Sequence, residues 1–190
     1  MAISRLKCPV CKSVALPAEV SPLEGGPEAH VCGQCGGQWI VPKDYWKWLE
    51  GRNVPTPEPP PAENPVNLPV KETETPKFCP DCGRFMRRHK VGHGVSFAVD
   101  RCGTCGGIWL DANEWPILKS RHIHERLHFV ASDAWQAQVA RQDREKGHEQ
   151  IVLDKIGNAD LEKIKAIRAW IESHPRKAEL YAFLLDKKEQ

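Results

Sequence analysis

The hydrophobic pattern changes period along this chain. Val95, Phe97 and Val99 alternate with Ser96, Ala98 and Asp100. That two-residue period predicts a strand with one buried face, leading into Cys102, with Gly92 and Gly94 marking the turn before it. Ile108-Trp109-Leu110 reads as a second short strand, followed by Asp111-Ala112-Asn113-Glu114. This string has the form of a capping box, Asp at N-cap and Glu at N3, and predicts a helix running toward His128, with Pro116 bending its first turn. Upstream, Val41-Pro42-Lys43-Asp44 puts Pro at N1 and an acid at N3 of a short helix. Tyr45, Trp48 and Leu49 fall on one face of it, and Gly51 ends it.

From Ala131 the period becomes helical. Ser132 is placed to cap a helix through about Lys146. Asn158 is placed to cap another, with Leu161, Ile164, Ile167, Trp170 and Ile171 on an apolar face. Pro175 stops it and serves as N1 of a last helix, with Ala178, Tyr181, Leu184 and Leu185 on one side. The last two helices read as an antiparallel hairpin joined at Ser173-His174-Pro175. Each apolar face is too small to hold alone, so the hairpin needs a further surface: the first tail helix, an earlier part of the chain, or a second copy.

Between these blocks, residues 52–77 lose all periodicity. Pro55, Pro57, Pro59, Pro60, Pro61, Pro65, Pro69 and Pro76 lie there, half of the chain's 16 prolines. The composition predicts an extended polyproline II spacer. A ligand for a proline-binding module is the other reading.

Composition narrows the class. The 190 residues carry 27 Lys+Arg against 25 Asp+Glu, a net charge of +2. That excludes a polybasic nucleic-acid tail and an acidic disordered activator for the whole chain. No apolar run approaches the roughly 20 residues of a membrane span. The start is charged early and reaches Cys8 without an apolar core, unlike a signal peptide. A cytoplasmic protein is expected. The apolar residues are spread unevenly, so a single large core is not expected, and something besides burial must stabilise parts of the chain.

The cysteines supply that something. All eight fall in Cys-x-x-Cys pairs: Cys8/Cys11, Cys32/Cys35, Cys79/Cys82 and Cys102/Cys105. In a reducing compartment such pairs read as metal sites rather than disulfides. The pairs are separated by 20 residues in the first half and 19 in the second, the spacing of a zinc ribbon. Cys8-Pro9-Val10-Cys11 aligns with Cys79-Pro80-Asp81-Cys82. Cys32-Gly33-Gln34-Cys35-Gly36-Gly37-Gln38-Trp39 aligns with Cys102-Gly103-Thr104-Cys105-Gly106-Gly107-Ile108-Trp109. The unit is thus repeated with an offset of 71, then 70. Four thiolates fill a Zn²⁺ tetrahedron and leave no open position, so two structural zinc ions per chain are expected. Gly after the second-knuckle cysteines permits φ > 0 and lets backbone N–H groups turn toward sulfur. Disulfides, free thiols and a rubredoxin-like iron site are the alternatives.

These residues resemble the bacterial transcription factor IIB-type zinc-ribbon family, whose pattern is Cys-Pro-x-Cys, a hairpin, then Cys-x-x-Cys-Gly-Gly-x-Trp-Leu-Asp-x-x-Glu. Residues 78–115 match through Trp109, Leu110, Asp111 and Glu114, whereas residues 7–45 lack the Leu-Asp-x-x-Glu ending. The resemblance implies zinc ligands, a ribbon fold and, by the family's name, a link to transcription. The expected class is a small α+β fold: ribbon one over 1–51, the Pro-rich linker over 52–77, ribbon two with its following helix over 78–128, and a helical tail over 129–190.

Two further constellations stand out. Segment 77–101 holds Lys77, Arg84, Arg87, Arg88, Lys90 and Arg101 against Asp81 and Asp100, a net +4. Arg84, Arg87, Arg88 and Lys90 are candidate phosphate contacts; compensation of the anionic zinc–thiolate centre is the other reading. Phe85, Phe97, Trp109 and Trp115 offer stacking faces, but aromatics in so small a ribbon more often form its core. His124-Glu125-Arg126-Leu127-His128 fits the zinc-peptidase string, with His122 nearby, but lacks an obvious third ligand and the mass for a cleft. No serine triad, phosphate loop or dinucleotide fingerprint is present. The expected function is a non-enzymatic zinc-binding adaptor contacting a protein of a nucleic-acid-handling complex. A second copy of the chain is a candidate for the tail, and no membrane is involved. A direct nucleic-acid binder, a redox or zinc sensor and the peptidase are the rivals.

Overall fold

The computed structural model describes residues 6–52, 54 and 56–186. In chain order the elements are β1 (Ser21–Pro22), β2 (Glu28–Val31), β3 (Gln38–Ile40), α1 (Pro42–Leu49), β4 (Met86–Gly92), β5 (Val95–Cys102) and β6 (Ile108–Leu110). Then come α2 (Glu114–Ser120), a 3-10 turn (His124–Arg126), α3 (Leu127–Val130), α4 (Asp133–Ile156), α5 (Asn158–Ser173) and α6 (Lys177–Leu185). Packing divides the chain into two compact units, up to Val139 and from Ala140 onward. The first unit thus gathers both cysteine repeats, the linker and the start of α4, where the sequence suggested separate segments.

Both repeats join one antiparallel sheet of six strands, ordered β1-β2-β3-β6-β5-β4. The seam is β3 against β6, with Gln38 opposite Leu110, Trp39 opposite Trp109 and Ile40 opposite Ile108. Each residue therefore lies opposite the repeat-equivalent of its mirror position, and Trp39 pairs with its own counterpart. A local two-fold runs through that pair. The strand period of two sorts the side chains. Ile40, Ile108 and Leu110 join Tyr45, Phe97, Val99, Trp115 and Leu118 in one apolar core, while Trp39 and Trp109 pack with the cysteines on the other side. The expectation of no single large core fails here, because pairing at the seam pools two faces that are each too small.

The helices follow some local signals and depart from others. Asn158 lies inside α5 behind Gly157 and does not cap it, and α6 starts at Lys177 behind Arg176, so Pro175 precedes the helix and is not its N1 residue. Pro42 starts α1 at N1, and Gly51 follows it with φ +77°. At α2 the Glu114 half of the capping box forms, its carboxylate accepting the Asp111 N–H at 2.9 Å. Asp111 itself does not cap; the helix begins behind Asn113 in the left-handed region. It also stops at Ser120 rather than reaching His128, because His122 adopts φ +56° and the Ile123 N–H returns to the Leu118 carbonyl. Ser132 caps α4 as expected, its Oγ accepting the Trp135 N–H at 3.3 Å. That helix runs ten residues past Lys146 and ends at Gly157, whose positive φ of +78° suits glycine.

In the unit from Ala140 onward, α5 and α6 are tied by Tyr181 Oη donating to Glu172 at 2.8 Å and by Lys177–Glu172 at 3.1 Å. Leu161 and Ile171 are buried. Ile164, Ile167 and Trp170, expected on the same packed face, remain about half exposed.

The linker is not a free spacer. The Val66 N–H donates to Ser120 Oγ, Asn113 Nδ2 to the Pro69 carbonyl and the Ala98 N–H to Glu72 Oε1, at 2.9–3.0 Å. Lys77, wholly buried, anchors its end on Asp100 Oδ2 and the Thr73 carbonyl, both at 2.7 Å, and reaches Asp111 at 3.4 Å. Proline leaves few backbone donors in this stretch, so side chains and the remaining N–H groups fix it along the second repeat.

Candidate metal centres

Each cysteine pair sits on a tight knuckle whose geometry repeats four times. The N–H four residues on closes to the first cysteine's carbonyl at Lys12, Gly36, Gly83 and Gly106, at 2.8–2.9 Å. All four of those residues have positive φ, three of them glycines and one Lys12 at +59°. The turn brings the second cysteine's N–H onto the first sulfur: Cys11 onto Cys8 at 3.3 Å, Cys82 onto Cys79 and Cys105 onto Cys102 at 3.5 Å.

The hairpins then bring the knuckles together. The sulfurs of Cys8, Cys11, Cys32 and Cys35 lie within 4.8 Å of one another, as do those of Cys79, Cys82, Cys102 and Cys105. Sulfur–sulfur contacts are 3.6 Å for Cys8–Cys35, 4.0 Å for Cys11–Cys32, 3.5 Å for Cys79–Cys105 and 3.4 Å for Cys82–Cys102. A tetrahedron with Zn–S bonds of about 2.3 Å has edges of about 3.8 Å, so both sets fit the ion. All eight thiols are free of disulfides. Residues 7–51 and 78–121 each match the family model described as transcription factor zinc-finger. The chain carries two zinc ribbons. No curated protein and no solved structure matches it.

The thiols of a ribbon differ in their readiness to ionise, and the difference repeats. Burial drives Cys8 and Cys79 far up. Burial also opposes ionisation of Cys32 and Cys102, but the N–H groups of the next knuckle residues outweigh it and bring them to about 7 and about 6. Cys32 and Cys102 are thus the thiols most ready to ionise, and a bound Zn²⁺ would supply the charge that offsets the burial of Cys8 and Cys79. Two closed four-thiolate centres hold two Zn²⁺, whose work is to fix the knuckles.

The glycine pairs of the two ribbons explain why they fuse. A Cβ on Gly37 would lie 2.1 Å from Trp109, and one on Gly107 would lie 2.3 Å from Trp39. Each ribbon's Cys-Gly-Gly therefore receives the indole of the other ribbon. The signal was present in the sequence as Gly-Gly-x-Trp in both copies, but nothing local says that the Trp crosses over. The two indoles differ in one respect. Trp109 Nε1 donates to Asp111 Oδ1 at 2.8 Å, whereas the buried Trp39 Nε1 has no hydrogen-bond partner among the described residues, because Val41 stands where ribbon two has Asp111. This also shows what Asp111 does in place of capping: it holds Trp109, the Thr73 N–H at 2.8 Å and Lys77.

The remaining candidates separate. Arg84 and Arg87 are exposed with no ion pair among the described residues. Arg88 is bound to Glu72, and Lys90 lies exposed where its carbonyl accepts from Gln136. Lys77 is interior, so the +4 of segment 77–101 is not all surface. Phe97, Trp109 and Trp115 are core, while Phe85 is exposed. The histidine string does not gather as a metal site. His124 is buried between Trp48 and Trp115, with burial pushing its pKa down to about 4; His128 Nδ1 meets Tyr45 Oη at 3.1 Å; Glu125 pairs with Arg52 at 3.0 Å. Tyr45 of ribbon one's helix and Arg52 beyond it thus take His128 and Glu125, while His124 makes ring contacts and its Nδ1 has no hydrogen-bond partner among the described residues. Among the described residues, only the two cysteine sets bring three or more such ligands within reach of one ion.

Proposed function

We propose that the chain is a non-enzymatic, cytoplasmic adaptor whose two zinc ions build a rigid platform and whose tail engages a protein of a transcription or other nucleic-acid-handling complex. The observation that carries this reading is the closure of both metal centres: four thiolates each leave no position for a substrate. The matched family's description supports the transcriptional setting. Among the described residues no helix is long and apolar enough to cross a membrane. The tail supplies the contact surface. Ile164, Ile167 and Trp170 expose 50–56% of their surface, and Phe183 and Leu185 expose over 70%. Apolar rows of this kind on so short a unit mark an interaction face.

An affinity pull-down with and without nuclease tests it. A protein partner that survives nuclease treatment, and is lost in Ile167→Asp with Trp170→Asp while two zinc ions remain bound, is the expected result. Loss of every partner on nuclease treatment would refute the adaptor role. Sedimentation of the purified chain reports whether the same face takes a second copy.

A further inference from the structure

The pairing of the ribbons creates a groove that neither has alone. It has a volume of about 370 Å³ and lies between the two first knuckles. Lys7, Pro9 and Lys12 line one side; Phe78, Pro80 and Gly83, their repeat equivalents at an offset of 71, line the other. The groove therefore sits on the local two-fold of the sheet, with one wall cationic and the other aromatic.

We propose that this groove and the adjoining knuckle of ribbon two bind single-stranded nucleic acid. Bases stack on Phe78 and Phe85; phosphates meet Lys7, Lys12, Arg84 and Arg87. The inference goes beyond the adaptor role by giving the chain a ligand of its own.

The aromatic surface is the first support. Phe78 and Phe85 are 59% and 56% exposed and lie edge to face with ring centroids 6.3 Å apart, whereas Phe97, Trp109 and Trp115 are buried. Exposed paired rings beside cations form a stacking platform that tolerates any base. A duplex keeps its base faces stacked inside the helix, so only unpaired nucleotides can use the rings.

Charge is the second support. Lys7, Lys12, Arg84 and Arg87 are exposed and make no ion pair among the described residues. Arg84, Phe85 and Arg87 also line an open hollow with Gly103 and Thr104, which continues the surface along ribbon two. Asp81 lies on the same knuckle, and each zinc–thiolate centre carries about two negative charges by formal count. By formal count these negatives match or exceed the four cations, so the cations act as local phosphate contacts and not as a long-range attracting patch. This places the discrimination in stacking and keeps the salt dependence moderate. Lys12 adds a third support. It keeps a side chain at a left-handed position where the other three knuckles have glycine. A strained residue on a ligand-facing wall is the pattern expected where the side chain is used.

Fluorescence anisotropy on the zinc-loaded full chain tests the proposal, with mixed-sequence single-stranded DNA and RNA, the matching duplexes and polyglutamate as probes. Single strands should bind, with a log–log salt slope no steeper than about −3, since four cations contribute about −0.7 each. Phe78→Ala with Phe85→Ala should weaken binding at least about fivefold while both zinc ions stay bound. Lys7→Glu with Lys12→Glu should flatten the slope. Lys12→Gly, which relieves the backbone, should bind zinc at least as well as the parent yet hold the strand more weakly. The proposal is overturned by absence of single-strand binding at low salt. Equal affinity for duplex or polyglutamate, or an unchanged affinity in the double phenylalanine variant, overturns it as well.

Discussion

Gly37→Ala should release zinc from both ribbons, including the one it does not belong to. The new Cβ would sit 2.1 Å from Cζ2 of Trp109, against the 3.5–4.0 Å at which carbon atoms rest in contact. Relief requires a shift of roughly 1.5 Å, by that same contact distance. Trp109 has no exposed surface and is pinned by Asp111, so the ring cannot move aside cheaply. Overpacking a core costs about 1–3 kcal/mol, and a site with so little room falls at the upper end. Folding and metal binding are coupled in ribbons, so about 3 kcal/mol appears as on the order of a hundredfold loss of zinc affinity. The same knuckle provides the controls. A Cβ on Gly33 meets nothing within 4 Å, so Gly33→Ala should stay within about 0.5 kcal/mol. Gly36 has φ +71°, so Gly36→Ala should cost about 1–2 kcal/mol from the backbone. The assay is a graded chelator titration with alkylation, reading which cysteines label at each step. Gly37→Ala should bring Cys79, Cys82, Cys102 and Cys105 to lower chelator concentration together with its own four. Early labelling confined to Cys8, Cys11, Cys32 and Cys35 would refute the crossed-indole argument. So would a Gly33→Ala variant as weak as Gly37→Ala.

Three other outcomes follow from the same geometry. In the unsubstituted chain ribbon one should lose zinc first. Its buried Trp39 Nε1 lacks the acceptor that Asp111 gives Trp109, a deficit of about 1–3 kcal/mol; equal labelling of all eight cysteines would contradict this. Lys77→Met should cost about 3–5 kcal/mol in chemical unfolding, because it leaves Asp100 and Asp111 buried without their cation, and it should open the linker to protease cleavage after Lys71. Glu114, buried beside Asp111, has its pKa raised well above the usual carboxylate range, by burial first and by Asp111 second. Its folded value exceeds its unfolded one, so the native state binds the extra proton and loses stability as pH rises from the unfolded carboxylate value through the folded one. Glu114→Gln keeps an acceptor for the Asp111 N–H and should therefore stabilise the zinc-loaded protein, more at alkaline than at mildly acidic pH. A gain that does not grow with pH would show Glu114 to be ionised.

The sequence by itself determined what is local. Metal ligands, knuckle glycines and the alternation of β5 are each set within a few residues, and the eight cysteines account for both zinc centres. The Pro42 start of α1 and the Ser132 cap of α4 are legible for the same reason. Tertiary structure decided whatever depends on a partner far along the chain. Gly37 and Gly107 look like turn residues until the opposite indole is in place, and Asp111 looks like a cap until Trp109, Thr73 and Lys77 compete for its carboxylate. The linker's prolines predict an extended path but not the surface it follows, which Glu72 and Lys77 select through Ala98 and Asp100. The His124–His128 string has the spacing of a metal site on a continuous α-helix, yet residues 124–126 form a 3-10 turn ahead of α3 and Tyr45 occupies His128. The physical reason is common to all of these. A side chain's local preference is worth about 1 kcal/mol, and a buried hydrogen bond, ion pair or steric contact from a distant element is worth as much or more.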